Sequence, residues 1–222
     1  MVSGRCTLAL DASTYVGTVA VLRDGVLVAE GDAAMRGERE ERLMPAVIAT
    51  LAEAGCTAGE VSRVVCGDGP GSFTSLRIAG AIAKGIALGA GAELAVVSSL
   101  ALIVAGHHPP LPVGRYLALL DAMRGERYAV AYAVRADGAI VEAARLGRLA
   151  DAEIAAVCER LGASAIGPHQ LLDVAPHARG VARLDGGPLV RAVDLDTWEP
   201  EYGRLAEAQV KWEAAHGRAL GS

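Results

Sequence analysis

The sequence is poor in aromatic residues, in lysine and in positive charge overall. Of its 222 residues only two are Trp, five are Tyr and one is Phe, so the core must be built from Ala, Val, Leu and Ile. The 27 glycines allow close backbone packing in such a core. Lysine occurs only at Lys84 and Lys211, and the formal net charge is −5. A chain with this charge has no global positive field for phosphates, which disfavours a free-standing nucleic-acid binder.

Long hydrophobic runs and cysteine pairs are also lacking. The most apolar stretches, residues 78–92 and 94–106, fall short of the roughly 20 residues that a membrane helix needs, and Lys84 interrupts the first. Asp11 ends the N-terminal apolar run too early for a secretory signal. The four cysteines form no CxxC pair, which is typical of buried, reduced thiols. We therefore expect a cytoplasmic protein with no membrane span.

Apolar periodicity predicts alternating strands and helices. Two β-branched runs around Asp24-Gly25 predict a hairpin, and the spacing of apolar residues from Leu43 to Leu51 predicts a helix that ends at Gly55. The predicted strands are residues 6–10, 17–22, 26–29, 61–66, 93–97, 116–120, 127–134, 139–143 and 164–166. Four more helices are predicted. The first begins after the loop at 67–71 and ends at about Gly89, and the others span residues 98 to about 106, 152 to 161 and 201 to 216.

One unit of strand, Asp and hairpin occurs twice in the chain. Leu8-Ala-Leu-Asp11-Ala is matched by Leu119-Leu-Asp121-Ala, and Asp24-Gly25 by Asp137-Gly138, at offsets of about 110 residues. Internal repetition at half the chain length predicts two related lobes, residues 1–106 and 107–222. Asp11 and Asp121 would then face each other across a cleft. This arrangement resembles the actin, Hsp70 and sugar-kinase group, in which such carboxylates orient Mg²⁺ and phosphates. We therefore predict an α/β, two-lobed fold of this type, with a duplicated mixed sheet and a shortened second lobe.

The loop Gly67-Asp-Gly-Pro-Gly71 is the most unusual stretch of the sequence. Its glycines permit positive φ, and it leads into a helix N-terminus, which attracts anions. The P-loop pattern fails, however, because Ser72-Phe73 follow the last glycine where Lys and Ser/Thr are required. A phosphate cradle and a tight turn that permits close packing both remain open. The candidate nucleotide or phosphate contacts are Asp11, Ser13, Gly69, Gly71, Ser72, Asp121 and Arg124.

The helix after this loop has two apolar faces, one of small residues and one of isoleucines. Such a helix is either buried on both sides or exposes one face to a partner. The helix after Leu43 could complete a docking pair, or both helices could simply cover the sheet. The candidate partner-interface residues are Leu43, Met44, Val47, Ile48, Leu51, Leu76, Ala79, Gly80, Ala83 and Ala87.

The segments Gly69-Pro-Gly-Ser-Phe-Thr-Ser-Leu-Arg77, Ala83-Lys-Gly85 and Val97-Ser-Ser-Leu100 resemble the bacterial TsaB (YeaZ) family. Leu120-Asp-Ala122 is similar to the start of the family's second lobe, and Glu199-Pro-Glu-Tyr202 more loosely to its C-terminal end. This sequence differs from the family pattern at Ser75, where the family usually has Gly, and at Arg39-Glu40, where the family commonly has His-Ser.

This resemblance implies a shortened actin/Hsp70-type fold and a part in making N6-threonylcarbamoyladenosine next to the anticodon of tRNA. It implies a non-catalytic scaffold that activates the paralogous transferase TsaD through a helical interface, joined by the ATPase TsaE. It also implies a homodimer in isolation, contact with tRNA only through the complex, and no cofactor or metal of its own, ATP and Mg²⁺ being bound by the complex.

The alternative is a small ATP-binding kinase or ATPase of the same fold, with Asp11 and Asp121 as its Mg²⁺ pair. A metal hydrolase is disfavoured, because the five histidines form neither HxxxH nor HExxH. A peptidase lacks an evident nucleophile–His pair.

Overall fold

The computed structural model describes residues 4–37 and 41–203, in which two mixed sheets carry the helices. The strands are β1 Cys6–Asp11, β2 Val16–Arg23, β3 Val26–Ala34, β4 Val61–Gly67, β5 Glu93–Val97, β6 Gly114–Asp121, β7 Glu126–Val134, β8 Ile140–Ala150, β9 Ala163–Ile166 and β10 Val190–Ala192. The α-helices are α1 Leu43–Glu53, α2 Phe73–Ala90, α3 Ser99–Ala105, α4 Ile154–Leu161 and α5 Val181–Leu184.

The two sheets share one topological unit. The first has the strand order β10-β5-β4-β1-β2-β3 and the second the order β8-β7-β6-β9. In each, one strand (β1 or β6) pairs on one side with an antiparallel hairpin and on the other with a parallel strand. That parallel strand, β4 or β9, follows a helix, α1 or α4. The predicted α/β fold with a duplicated mixed sheet is therefore confirmed, while the division at residues 106 and 107 stays a prediction.

The two hairpins turn differently. Asp24 and Gly25 both have positive φ, 51° and 81°, as a two-residue type I′ turn requires. In the second hairpin only Gly138 has positive φ, and the amide of Arg135 donates to the carbonyl of Ala139 at 2.9 Å. The Asp-Gly signal thus marks a hairpin in both lobes, with one extra loop residue in the second.

The core consists of three clusters that follow the alternation of the strands. Leu8 and Leu10 of β1 face a cluster formed with α1 and α2, whereas Ala9 faces a cluster that also takes Tyr132 from the second sheet. Every residue of α3 is buried in this shared cluster. A third cluster packs α4 on the second sheet. The sheets therefore meet through α3, and α1 and α2 lie on the opposite face of the first sheet.

The chain after residue 167 contains two elements for which the sequence analysis has no prediction. It contains the short helix α5 and the strand β10, which pairs antiparallel with β5 at the edge of the first sheet. Strands β3 and β8 also extend well beyond the predicted 26–29 and 139–143. Residues 204–216 of the last predicted helix lie outside the described residues.

Candidate functional site

Asp11, the last residue of β1, is completely buried. Its Oδ1 accepts hydrogen bonds from the amide (3.0 Å) and the hydroxyl (2.8 Å) of Ser13, and its Oδ2 accepts one from the hydroxyl of Ser99. A Cβ on Gly67 would lie 2.0 Å from Oδ2, so only glycine fits beside it. Burial raises the pKa of Asp11, and the bonds from Ser99 and Ser13 oppose that rise. The carboxyl group thus fastens the end of β1 to the start of α3.

The glycines of the following loop make close contacts with the chain itself. A Cβ on Gly69 (φ 97°) would lie 2.3 Å from the carbonyl oxygen of Glu201, and one on Gly71 would lie 2.3 Å from that of Ser13. The amide of Ser72 donates to the same Ser13 carbonyl at 2.8 Å. The tight-turn alternative therefore has a structural explanation in these contacts, and a phosphate-binding role for the loop stays a prediction.

Asp68 in this loop holds the C-terminal part of the described chain. Its carboxylate accepts from the guanidinium of Arg191 in β10 at 2.7 Å, and its carbonyl accepts from the amide of Glu201 at 2.6 Å. Burial raises the pKa of Asp68 to about 6, although the charge of Arg191 opposes the rise. Strand β10, at the edge of the first sheet, is thus held by the carboxyl group of Asp68, whose pKa lies near 6.

A cavity of about 430 Å³ opens beside the loop, at the carboxyl ends of β1 and β6. Ligands of open α/β sheets characteristically bind outside the carboxyl ends of the strands. Four aromatic side chains line the cavity, Tyr15, Phe73, Tyr128 and Tyr202, which are half of the aromatic residues in the whole chain. We call this site the aromatic cavity.

Two arginines flank these rings. The guanidinium of Arg36 lies 4.7 Å from the ring centroid of Tyr15, and that of Arg77 lies 5.5 Å from the ring centroid of Phe73. The rings of Phe73 and Tyr202 pack at 4.5 Å between centroids. Arg36 and Arg77 pack against these rings without lining the cavity, whose lining contains one arginine, Arg127.

The carboxylate, the guanidinium and the imidazole that line the cavity come from the second sheet and the segment after it. The exposed side chain of Asp121 accepts from the amide of Met123 at 2.8 Å, and the Nε of Arg127 donates to Asp151 at 2.8 Å. His169 also lines the cavity. These groups supply both hydrogen-bond acceptors and donors at its edge.

The predicted nucleotide or phosphate contacts are only partly brought together. Those that line the aromatic cavity are Ser13, Gly71, Ser72 and Asp121. Asp11, Gly69 and Arg124 do not line it, and Asp11 is sealed beneath the loop while Asp121 is exposed. The two aspartates occupy equivalent strand ends, as the repeat predicts, but their environments differ completely.

A second concavity, of about 420 Å³, lies between α1 and α2, and we call it the helical groove. Its lining residues are Met44, Ala58, Gly59, Ile82, Gly85, Ile86, Gly89 and Ala90. A Cβ on Gly85 or on Gly89 would meet nothing within 4 Å. Ile48 (59% exposed) and Leu88 (72% exposed) are further apolar residues on the outer surface of these helices.

Most residues of the predicted partner interface are instead buried in the chain's own core. The buried ones are Leu43, Val47, Leu51, Leu76, Ala79, Gly80, Ala83 and Ala87. A Cβ on Gly80 would lie 3.2 Å from Pro200, so this small-residue face of α2 is covered by the chain itself. Of the predicted set only Met44 and Ile48 reach the surface. An interface on α1 and α2 would therefore use Ile82, Gly85 and Gly89 of the helical groove rather than the predicted small-residue face.

The structure also bears on metal binding and on membrane insertion. Within residues 4–37 and 41–203, no three His, Cys, Asp or Glu side chains are grouped so that they could hold a metal ion. Helix α2 is long and apolar enough, by length and composition alone, to cross a membrane. Its buried residues pack on the first sheet.

Known proteins match this chain along most of its length. A family model described as TsaD, tRNA N6-adenosine threonylcarbamoyltransferase, matches residues 35–153, more than half of the chain. The tRNA threonylcarbamoyladenosine biosynthesis protein TsaB of Bacillus subtilis is 28% identical over 92% of this chain and 96% of its own length. The TsaB protein of Escherichia coli is 36% identical over 56% of this chain, a match that spans about half, 54%, of that protein. The structure of YeaZ from Pseudomonas aeruginosa superposes with a TM-score of 0.72 and 26% identity, covering 89% of this chain and 99% of that one. This chain belongs to the TsaB (YeaZ) family.

The structure describes one of the two departures from the TsaB pattern. Ser75, where the family usually has Gly, is buried, and its hydroxyl lies 3.0 Å from that of Ser72. Arg39 and Glu40 lie outside the described residues.

Sequence reasoning missed two features of this TsaB family member. One is the cover on α2, where Trp198 and Pro200 approach Gly80 and the ammonium of Lys84 lies 5.8 Å from the ring of Trp198. The other is the convergence of aromatic rings on one cavity. Tyr15, Phe73 and Tyr128 lie at or near the start of β2, α2 and β7, and the scarcity of aromatic residues elsewhere was the signal that could have found them.

Proposed function

We propose that this chain is a non-catalytic scaffold subunit in the formation of N6-threonylcarbamoyladenosine on tRNA. Its family is named for tRNA threonylcarbamoyladenosine biosynthesis, and the chain would pair with the transferase TsaD through the helical groove. TsaE would join that complex, and tRNA, ATP and Mg²⁺ would be held by the complex rather than by this subunit. In isolation the same groove would pair two copies of the chain. The expected location is the cytoplasm.

The observation that carries this proposal is the pair of exposed glycines in α2. A glycine inside a helix is about 1 kcal/mol less favourable than alanine. Gly80 has a reason within the chain, because a Cβ there would crowd Pro200 at 3.2 Å. Gly85 and Gly89 face open space, so nothing among the described residues requires them. Two glycines one turn apart let a second helix approach closely, and the apolar side chains of Met44 and Ile82 would pack against it.

The non-catalytic part of the proposal rests on Asp11. A carboxylate that orients Mg²⁺ must reach the ligand, whereas both oxygens of Asp11 accept hydrogen bonds from serines inside the core. The alternative, a small kinase or ATPase, would have to work with Asp121 alone. ATP hydrolysis by the isolated chain, lost on Asp121→Asn, would favour that alternative.

The pairing is tested by Gly85→Arg. The position is exposed and open, so the variant folds, but the arginine fills the groove and should abolish binding to purified TsaD by isothermal titration. Ala156→Arg is the matched control, since it places the same side chain at an exposed position of α4, on the other sheet. Unchanged binding by Gly85→Arg, or equal loss in both variants, would count against the groove.

A further inference from the structure

We propose that Cys6 and Cys56 form an intrachain disulfide when the folded chain meets a peroxide. Both thiols are free in the structure, and their sulfur atoms lie 2.9 Å apart although the residues are 50 positions apart in the chain. A disulfide bond is about 2.05 Å long, so the sulfurs need to approach by only about 0.9 Å. The fold thus already brings together the two thiols that a disulfide requires.

Ordered backbone holds both sulfurs in place. Cys6 is the first residue of β1 and is paired with Arg23 of β2. Cys56 lies just after α1, and the guanidinium of Arg23 donates to the two carbonyls before it, those of Ala54 (3.2 Å) and Gly55 (2.9 Å). The same strand pair therefore positions both residues, and their contact does not depend on a loose loop.

The other two cysteines are placed away from this pair. Cys66 of β4 is the register partner of Leu10, four residues further along β1 than Cys6, which is about 13 Å at the usual rise of a strand. Cys158 packs against the third core cluster, on the second sheet. A disulfide within the folded chain should therefore join Cys6 to Cys56 selectively.

Exposure sets the order in which the two thiols react. Burial, together with the hydrogen bond to Cys56, raises the pKa of Cys6 to about 12, so this sulfur stays protonated at neutral pH and meets oxidants slowly. Cys56 is 6% exposed against 2% for Cys6, and it lies in the turn after a helix. Peroxide should therefore oxidise Cys56, and Cys6 should complete the bond.

The reaction consumes one hydrogen peroxide in two steps. The sulfur of Cys56 attacks a peroxide oxygen, so that an S–O bond forms, the O–O bond breaks and one water leaves with the thiol proton. The sulfur of Cys6 then attacks the sulfur of the sulfenic acid, so that the S–S bond forms, the S–O bond breaks and a second water leaves with the proton of Cys6. The two sulfurs together lose two electrons, and the peroxide is reduced to two waters.

The disulfide would fasten the end of α1 to the start of β1. Ala58 and Gly59, which follow Cys56 closely in the chain, line the helical groove, so one wall of that groove would be joined covalently to the first sheet. A link between residues 50 positions apart also constrains the unfolded chain. The oxidised chain should therefore melt roughly 8–16 °C higher than the reduced chain.

The experiment oxidises the folded chain with hydrogen peroxide, in the Cys158→Ser variant so that no disulfide forms between chains. Trypsin places each remaining cysteine in its own peptide, with Cys6 in 6–23 and Cys56 in 43–63. We expect these two peptides to be joined, at the sum of their masses less two hydrogen atoms, and to separate in dithiothreitol. Thiol titration in urea should find only Cys66 still free. Thermal unfolding should show the higher Tm, reversed by dithiothreitol.

Four results would overturn the proposal. They are a folded chain in which both thiols survive the peroxide, a disulfide that includes Cys66, joined peptides only after oxidation in urea, and an oxidised chain that melts no higher than the reduced one. Cys56→Ser, with its fold verified by circular dichroism, should lose both the link and the rise in Tm, whereas Cys66→Ala should keep them. This inference does not rest on the pairing with TsaD, since every readout uses the chain alone.

Discussion

The glycines of α2 make a prediction that separates stability from binding. Replacing Gly85 and Gly89 by alanine adds two Cβ atoms that meet nothing within 4 Å. Each replacement should therefore stabilise the isolated chain by about 1 kcal/mol, the difference in helix propensity. For a chain of this size each kcal/mol raises Tm by roughly 2–4 °C, so the double variant should melt about 4–8 °C higher.

The same two methyl groups lie where the proposed partner helix approaches. Overpacking a close interface costs about 1–3 kcal/mol, so binding to TsaD should weaken about 5- to 150-fold. The assays are thermal unfolding by circular dichroism and titration with purified TsaD. Gly80→Ala is the control on the same helix, because its Cβ would meet Pro200 at 3.2 Å and should give no gain in Tm.

Two results would refute this reasoning. A lower Tm for the double variant would show that Gly85 and Gly89 do not face open space. A higher Tm with unchanged TsaD binding would show that the helical groove is not the interface.

Three further predictions concern Asp68, Ser99 and Cys158. Because burial raises the pKa of Asp68 to about 6, the folded chain keeps this proton after the unfolded chain has lost it, and stability falls as pH rises from about 4 to 6. Relative to wild type, Asp68→Asn should therefore gain about 2.4 kcal/mol between pH 4 and 7 in urea unfolding, and a pH-independent difference would contradict this. Ser99→Ala leaves Oδ2 of Asp11 without its donor and should cost about 2 kcal/mol in the same assay, so a loss near zero would argue against the hydrogen bond. Cys158 is the only one of the four thiols that is not fully buried. Brief alkylation of the native chain should therefore add a single label, which mass spectrometry should locate at Cys158. Labelling of several thiols at once would speak against the buried positions of the other three.

Local signals predicted the repeat and nine of the ten strands in the described residues, β1 to β9. Apolar runs on both sides of an Asp-Gly pair predicted each hairpin, and the recurrence of an aspartate at a strand end, Asp11 and Asp121, predicted the duplicated sheet. These features depend on neighbouring residues, which is why the sequence alone suffices. Strand β10 has three residues and no such signal, because it forms only through pairing with β5.

The face that α2 turns inward could not be predicted in this way. Periodicity identifies two apolar faces but does not say which one the sheet and the segment around Trp198 will cover. The structure buries Ala79 and Ala83 and leaves Gly85 at the surface. That choice depends on packing against the first sheet and on Trp198 and Pro200, which lie more than 100 positions from Gly80.

The aromatic cavity escaped prediction for the same reason. Tyr15, Phe73 and Tyr202 are distant in sequence, and only the meeting of the strand ends brings them to one place. Ser13 and Asp121 were found because they flank a recognisable strand end. The sequence pattern thus located the edge of the site but not the rings that give it its chemistry.

The most direct test of the scaffold proposal is reconstitution of tRNA threonylcarbamoylation from purified components. TsaD, TsaE, the threonylcarbamoyl-adenylate donor, ATP and tRNA are combined without this chain, with it, with Gly85→Arg and with Ala156→Arg. We expect N6-threonylcarbamoyladenosine to form only with the wild-type chain and with Ala156→Arg, and not with this chain alone. Full modification without the chain, or with Gly85→Arg in its place, would contradict the proposal.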